Sequence, residues 1–348
     1  MPTVGLTGPL CSGKDAVVEY LETKHGFNAI FRLPQLNEDG EYIYRTGDLV
    51  LGSVDDLISY LTPRWRERFV INGIHSPRLL SALLKRPFFL LVYIDAPIML
   101  RFNRYKTYVI LQCQHVVANF KFIVIILHAM CSVYSSLANT TLEEFCSIQD
   151  AAAFQSDNAG TRHRALANLL INNDSNIKLH LWEKLQKADL LNPNRFRPSW
   201  DSYFMEMASL AAKRSNCMKR RVGCVLVRGN RVIATGYNGT PRGATNCNEG
   251  GCPRCNSASS CGKELDTCLC LHAEENALLE AGRERVGNNA ILYCDTCPCL
   301  TCSVKITQLG IKEVVYHTSY NMDSHTASLL QAAGVQLRQY IPPENSIF

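Results

Sequence analysis

The sequence predicts an α/β protein of two domains, each built from strands that alternate with helices. Its 348 residues suggest about two domains. Early in the chain, a short apolar strand, a glycine loop and a helix precede further buried strands, which predicts a parallel sheet. Later, a β-hairpin precedes three more strands separated by helices. This order predicts an α/β/α domain with a mixed five-stranded sheet.

The first element is a strand that leads through a glycine loop into a helix. It fits G-x-x-x-x-G-K at Gly8, Gly13 and Lys14, a loop whose backbone amides hold phosphates. The next residue in such loops is Ser or Thr, whose hydroxyl binds Mg²⁺. Asp15 stands there instead, close to where phosphates would lie. We therefore expect a phosphate loop without kinase catalysis; an active kinase is the alternative.

Two buried parallel strands are predicted downstream, at 69–72 and 88–95, with helical stretches between them. The second strand ends in Asp-Ala-Pro97, followed by Arg101 and Arg104. These features and the loop resemble small P-loop kinases, such as dephospho-CoA kinase and nucleoside monophosphate kinases. The resemblance covers roughly the first 105 residues and implies a degenerate P-loop kinase-like domain.

The segment 106–135 fits this domain poorly. Its centre, Phe120–Leu127, is nearly all apolar, but it is shorter than the about 20 residues that span a bilayer. Two interpretations stay open: one more buried strand, or an insertion foreign to the fold, such as a translated intron. We expect the first domain over 1–191, a Pro- and Asn-containing linker over 192–198, and the second domain over 199–348.

The second domain begins with a helix and a hairpin. Its predicted elements are a helix at 200–214, hairpin strands at 222–227 and 231–237, a helix at 273–282, strands at 290–294, 313–316 and 335–339, and a helix at 324–333. A further helix is expected to start at the cysteine pair described next.

The second domain contains the pattern H-x-E followed by P-C-x-x-C. His272, Cys299 and Cys302 offer one nitrogen and two thiolates, the three protein ligands of a catalytic zinc with its fourth position open. Glu274 is predicted to carry the proton of the attacking water, as in zinc deaminases acting on C4 of cytosine or C6 of adenine. A structural zinc knuckle is the alternative, but such sites close with four ligands and do not use the glutamate.

Both halves of this pattern are predicted to stand at helix N-termini. Pro298 suits the first position of a helix, and Cys299 and Cys302 would then share one face of its first turn. The run from Ala273 to Gly282 is rich in strong helix formers and stops at a glycine, so His272 would also stand at a helix start. The positive end of the helix dipole would stabilise the thiolates.

Sixteen cysteines is a high count, and twelve of them fall between Cys217 and Cys302. Their C-x-x-C spacings indicate metal ligands rather than disulfides. Cys252-Pro-Arg-Cys255 has the spacing of a zinc knuckle. Free buried thiols are the alternative.

The amino-acid composition limits the classes of binding partner that we expect. The chain is 47% hydrophobic and 19% charged, as in ordinary globular proteins. The net charge of +5 permits anionic substrates, but the absence of a long Lys/Arg block indicates no nucleic-acid footprint. The N-terminal stretch lacks a secretory pattern, so we expect a cytoplasmic protein, with the nucleus as the alternative, and no membrane partner.

The second domain resembles the cytidine-deaminase superfold, and within it the deoxycytidylate (dCMP) deaminases, fungal type. The resemblance extends over about 197–340 and is strongest at 215–227, 236–241, 272–278 and 293–302. It implies an enzyme that hydrolyses dCMP to dUMP and ammonia for thymidylate synthesis, with zinc on His272, Cys299 and Cys302 and Glu274 as proton carrier. It also implies a homo-oligomer, activation by dCTP, inhibition by dTTP, and Mg²⁺ with the effector.

Two other functions stay open, of which only the first uses the same core pattern. One is a nucleic-acid deaminase acting on tRNA adenosine or single-stranded DNA cytosine, and the other is a regulatory protein that senses nucleotides. The missing basic face and the G-Y-N-G-T-P loop at 236–241 favour a free nucleotide.

Further residues are candidates for the site, and the resemblance implies the second zinc and the contact of Arg283. A second, structural zinc would be held by Cys217 and Cys247 and completed from Cys252, Cys255 and Cys268. Candidate substrate or effector contacts are Ser215, Lys219 and Arg220 for a phosphate, Asn238 and Asn276 for nucleotide groups, Arg283 at a subunit or effector contact, and Tyr320 stacked on the base. The alternatives are loop or helix caps, a solvated basic face, a helix C-terminal cation and a half-buried tyrosine.

Overall fold

The chain divides into two units, each built around its own sheet. The computed structural model describes residues 2–38, 40–74, 76–119, 139–154, 160–257, 263–319, 324–343 and 346–347. One unit runs to Arg197 and includes Ser346–Ile347, and the other is Pro198–Pro343. Tyr320 and residues 120–135 lie outside the described residues.

The first unit is a largely parallel sheet with helices between its strands. Its strands are β1 (Thr3–Thr7), β2 (Asn28–Leu36), β3 (Tyr42–Thr46), β4 (Leu49–Leu51), β5 (Phe69–Asn72), β6 (Phe89–Asp95), β7 (Leu169–Asn172) and, late in the chain, β13 (Ser346–Ile347). Its helices are α1 (Lys14–His25), α2 (Val54–Leu61), α3 (Pro77–Leu84), α4 (Ile98–Asn119), α5 (Leu142–Phe154), α6 (Gly160–Leu166) and α7 (Lys178–Ala188).

The sheet order in this unit is β13-β7-β6-β1-β5-β2-β3-β4. The strands from β13 to β2 are parallel, and β3 and β4 add an antiparallel edge. The predicted parallel strands at 69–72 and 88–95 are therefore confirmed, the second starting one residue later. Residues 106–119 of the segment with open interpretation continue helix α4.

The second unit has helices on both faces of a mixed sheet. Its helices are α8 (Trp200–Ala212), the one-turn α9 (Pro253–Asn256), α10 (Ala273–Val286), α11 (Leu300–Gln308) and α12 (Ser324–Ala332). Its strands are β8 (Gly223–Arg228), β9 (Arg231–Tyr237), β10 (Ile291–Thr296), β11 (Glu313–Thr318) and β12 (Gln336–Gln339). The order is β12-β11-β10-β8-β9. Strands β10 to β12 are parallel, and β8 is antiparallel both to β10 and to β9, so the predicted mixed sheet is present.

Alternation along β8 divides the core between the two faces. Cys224 and Leu226 pack towards α10, α11 and α12, whereas Val225 and Val227 pack against α8. Because both faces are covered, β8 is apolar along most of its length. None of the helices in the described part of the chain combines the length and apolar character needed to cross a bilayer.

Two glycines let helices approach this sheet closely. A Cβ built on Gly236 of β9 would lie 2.0 Å from the carbonyl oxygen of Ala273, at the start of α10. A Cβ on Gly223 of β8 would lie 2.2 Å from the carbonyl oxygen of Ala208 in α8. The absence of side chains at these positions therefore sets the distance of each helix from the sheet.

A charged cluster ties α8 to the strands. Arg338 donates two hydrogen bonds to Asp201, of 2.8 and 3.1 Å, and one of 2.9 Å to Glu313. The Tyr293 hydroxyl donates to Asp201 at 2.9 Å. Hydrogen bonding from Arg338 lowers the pKa of Asp201 below its ordinary value.

Candidate active site

The H-x-E and P-C-x-x-C segments meet at the N-termini of two helices. His272 is the residue before α10, and Cys299 is the residue before α11, both with extended backbone. The predicted helix start at Pro298 is wrong, because α11 begins at Leu300. Cys299 is in the N-cap position, where its carbonyl accepts from the Ser303 N–H at 2.9 Å.

The three predicted ligand atoms lie at the spacing of a metal site. The Nδ1 atom of His272 is 3.4 Å from the Cys299 sulfur and 3.3 Å from the Cys302 sulfur. Zinc–nitrogen and zinc–sulfur bonds of about 2.0 and 2.3 Å at tetrahedral angles place such atoms about 3.5 Å apart. One nitrogen and two sulfurs at this spacing therefore fit a zinc ion with its fourth position open.

Hydrogen bonding prepares the Cys299 sulfur as a ligand. Bonds from Cys302, His272 and Thr301 lower the pKa of the Cys299 thiol to about 3. The Thr301 hydroxyl lies 3.1 Å from this sulfur. The deprotonated thiol is the form that binds a metal.

Glu274 is buried beside these ligands, with 4% of its surface exposed. Burial raises the pKa of its carboxyl group to about 7. A group with a pKa near neutrality can both accept and donate a proton at physiological pH. Its carboxylate lies outside the close group of three ligand atoms, which suits a proton carrier better than a ligand.

Glu275 is a site residue that the sequence interpretation missed. Its carboxylate accepts from the His272 N–H at 2.9 Å and pairs with Lys305 of α11. It therefore holds the backbone of the histidine ligand and connects the two helices that carry the ligands. The signal was available, because a glutamate three residues after an N-cap is half of a capping box.

Asn276 connects the same helix to the hairpin. Its side-chain amide donates to the Tyr237 carbonyl at 3.0 Å. This bond supports a positioning role, and a contact with nucleotide groups remains a prediction. Arg283, the candidate subunit or effector contact, is exposed after Gly282, whose φ of 66° interrupts α10.

The loop before β8 is held together by Ser215 and Asn238. The Ser215 hydroxyl lies 2.7 Å from both the carbonyl and side-chain oxygens of Asn238. The Asn238 side chain accepts from the Val222 N–H and donates to the Arg220 carbonyl, each at 2.8 Å. Because both side chains are buried, these contacts favour the loop-cap alternative for Asn238 and place Ser215 in the same structural contact.

The two predicted cations of this loop also have protein partners. The Lys219 ammonium donates to the Ser257 carbonyl at 3.1 Å, and the Arg220 guanidinium donates to the Thr296 hydroxyl at 3.1 Å. A phosphate contact by either remains a prediction.

The predicted ligands of the second zinc come together, and Cys270 joins them. Cys217, Cys247, Cys252, Cys255 and Cys268 gather with Cys270 in two overlapping groups of four. The sequence interpretation left Cys270 out, although Cys268-Leu-Cys270 is a C-x-C pair that can reach one metal.

The charged side chains of the phosphate loop in the first unit form hydrogen bonds with other residues of this chain. Lys14 donates to the Gly8 and Pro9 carbonyls at 3.0 and 2.8 Å, and burial lowers the pKa of its ammonium to about 8. Gly13 has a φ of 101°, a left-handed conformation that suits glycine. Asp15 accepts from the Asn72 side chain at 2.6 Å, so the residue in the Mg²⁺-binding position forms a protein contact.

Comparison with known proteins agrees with this site. The family model for the cytidine and deoxycytidylate deaminase zinc-binding region matches residues 198–318. The deoxycytidylate deaminase of Schizosaccharomyces pombe is 92% identical over the full length of both chains. That of Saccharomyces cerevisiae is 48% identical over 83% of this chain and 86% of its own.

Among solved structures, the dCMP deaminase of cyanophage S-TIM5 in complex with dCMP and dUMP is similar. It is 30% identical and covers 41% of this chain and 98% of its own, with a TM-score of 0.33. The relationship rests on the full-length identity to the Schizosaccharomyces pombe protein, the 48% identity to that of Saccharomyces cerevisiae and the match of the zinc-binding region. The chain belongs to the cytidine and deoxycytidylate deaminase family, among the fungal deoxycytidylate deaminases.

Proposed function

We propose that this protein catalyses the zinc-dependent hydrolysis of dCMP to dUMP and ammonia, which supplies dUMP for thymidylate synthesis. The observation that supports this proposal best is that His272, Cys299 and Cys302 lie together beside the buried Glu274. The 92% identity to a deoxycytidylate deaminase supports the substrate.

The side chains divide the work of the reaction. The triad would hold zinc, which supplies the Lewis acidity that activates a water molecule. Glu274 takes a proton from the attacking water and transfers it to N3 of the cytosine ring while the new C4–O bond forms. It then takes the proton of the new C4 hydroxyl and delivers it to the amino nitrogen, so that the C4=O bond forms, the C4–N bond breaks and ammonia leaves. Its pKa of about 7 suits transfer in both directions.

Glu275 and Asn276 act as positioning residues in this proposal. Glu275 holds the His272 backbone and pairs with Lys305, and Asn276 fixes α10 to the end of β9. Both contacts keep Glu274 and the three ligands in one arrangement, which matters because small displacements in a site reduce the rate strongly.

Discrimination for the monophosphate is proposed to come from the loop around Lys219 and Arg220. Charge-assisted hydrogen bonds to a phosphate would favour dCMP over deoxycytidine. The family resemblance supports a homo-oligomer, dCTP and dTTP as effectors, Mg²⁺ with the effector, and a further structural zinc in the cysteine-rich loop. The six gathered cysteines support that last part.

The decisive experiment compares kcat/KM on dCMP, deoxycytidine and a cytosine-containing single-stranded oligonucleotide, with dCTP and Mg²⁺ present. We expect dCMP to be by far the best substrate. Glu274→Gln should abolish most turnover, whereas Glu280→Gln, on an exposed position of the same helix, should not. Better turnover of the nucleoside or the oligonucleotide than of dCMP would overturn the proposal.

A further inference from the structure

Six cysteines form a compact cluster in the second unit. We call Cys217, Cys247, Cys252, Cys255, Cys268 and Cys270 the cysteine cluster. Its buried members are all cysteines, and they pack separately from the apolar cores on the two faces of the sheet. Six thiols that pack mainly against one another, in a polar loop region, indicate metal ligands rather than a small apolar core.

The sulfur spacing within the cluster matches metal tetrahedra. Zinc–sulfur bonds of about 2.3 Å at tetrahedral angles place sulfur atoms about 3.8 Å apart. Cys255 lies 3.7 Å from Cys217, 3.9 Å from Cys268 and 3.8 Å from Cys270. Cys252 lies 3.9 Å from Cys268. A disulfide bond would need a separation of about 2 Å, so none of these pairs is bonded.

The cluster divides into two tetrahedra that share an edge. One group of four is Cys217, Cys247, Cys255 and Cys270, and the other is Cys252, Cys255, Cys268 and Cys270. All sulfurs within each group lie within 4.8 Å of one another. The shared pair is Cys255 and Cys270, whose sulfurs are 3.8 Å apart. A single ion would leave two of the six cysteines unused beside it.

We infer that the cysteine cluster binds two zinc ions, with the thiolates of Cys255 and Cys270 bridging both. Cys217 and Cys247 complete one ion, and Cys252 and Cys268 complete the other. The inference deepens the proposed structural zinc, and it does not depend on the substrate of the enzyme. Sharing two thiolates gives each ion four sulfur ligands from six cysteines.

Charge and hydrogen bonding fit this division. Two Zn²⁺ ions and six thiolates leave an excess of negative charge, which the surroundings must stabilise. The Met218 N–H donates to Cys247 and the Leu269 N–H donates to Cys252, each at 3.4 Å. The Arg254 guanidinium lies 3.9 Å from the Cys268 sulfur. These donors reach non-bridging thiolates of both groups, which carry more negative charge than thiolates shared by two ions.

Metal counting tests the inference on the full chain. Native mass spectrometry and elemental analysis should give about three zinc ions per chain, one at the His272 site and two in the cluster. Cys217→Ser and Cys252→Ser should each lose one ion, and Cys255→Ser should lose both cluster ions. Cys146→Ser, at a cysteine of the first unit, should lose none and is the matched control.

Cadmium substitution is carried out on the unaltered protein, so its result remains valid even if a cysteine variant fails to fold. In ¹¹³Cd NMR, ions that share thiolates should show cadmium–cadmium coupling, whereas the His272 site should give a separate, uncoupled signal. Two zinc ions per chain in total, or two uncoupled cluster signals, would overturn the bridged pair. One ion in the cluster would support a single structural zinc instead of the pair. Deamination of dCMP is tested separately, by the activity assays.

Discussion

Substituting alanine for Gly236 should displace the start of α10, where His272 and Glu274 lie. Gly236 lies on β9 against the start of α10, and its missing side chain allows this contact. An added Cβ would lie 2.0 Å from the Ala273 carbonyl oxygen and 2.6 Å from the Ala277 nitrogen. Both are backbone atoms, so no side-chain rotation relieves the overlap. Ala273 stands between His272 and Glu274, so any shift of α10 moves a metal ligand and the proton carrier together.

The magnitude follows from the overlap. Cβ contacts under 3.0 Å essentially never occur, so the strand and α10 must separate by about 1 Å, a misplacement that can reduce a rate about 10²-fold. Overpacking of this kind destabilises a protein by about 1–3 kcal/mol. We therefore expect Gly236→Ala to lose about 10²-fold in kcat/KM on dCMP and to melt several degrees lower.

Gly223→Ala is the matched control. Its Cβ would overlap backbone atoms of α8 by a similar amount, at 2.2 Å from the Ala208 carbonyl oxygen and 2.3 Å from the Ala212 nitrogen. Because α8 carries no proposed catalytic residue, this variant should lose stability but keep most of the activity of its folded fraction. The assays are calorimetry and steady-state deamination at a temperature where both variants are folded. An active, stable Gly236→Ala protein, or equal rate losses in both variants, would refute the reasoning.

Three further predictions test other parts of the structure. Glu274→Gln should keep its zinc while kcat falls about 10²–10⁴-fold, because only the proton carrier is removed; loss of zinc together with activity would instead make Glu274 a ligand. Asp201→Asn should cost about 1–2 kcal/mol in denaturant unfolding at pH 7, since it weakens the Arg338 contacts at a side chain that is 26% exposed. The folded pKa of Asp201 lies below its ordinary 3.8, so this difference should persist above that pH and shrink as the pH falls through the folded value; an equal difference at pH 3 and pH 7 would contradict it. The chain should show no phosphoryl transfer from ATP to nucleoside monophosphates or dephospho-CoA, because Asp15 takes the Mg²⁺-binding position; transfer that disappears in Lys14→Ala would show that the first unit is a working kinase.

Local patterns predicted which side chains the structure brings together at His272, Cys299 and Cys302, because these residues follow short, regular spacings. His272 and Glu274 are two residues apart, and Cys299 and Cys302 are three apart, so each pair is fixed by one helix start. Strand β6 and hairpin strand β9 were also predictable, since buried apolar runs and turn residues mark them.

Contacts between distant segments were harder to predict. The pairing of Glu275 with Lys305 depends on how two helices face each other, and no local pattern specifies that. The inclusion of Cys270 depends on its proximity to Cys217, a residue far earlier in the chain. Helix α11 starts two residues later than expected, because Pro298 tolerates positions before a helix as well as its first turn.

The last described strand determines which unit of the protein a C-terminal truncation affects. Strand β13 follows the second unit in sequence but pairs with β7, in the sheet of the first unit. The second unit is thus inserted into the first, and peptide connections leave it at both of its ends. A premature stop after Pro343 would therefore leave every proposed zinc ligand in place and remove a strand from the other unit. Likewise, a protease that cuts once at the junction after Arg197 would give two fragments that the pairing of β13 with β7 still connects without a covalent bond.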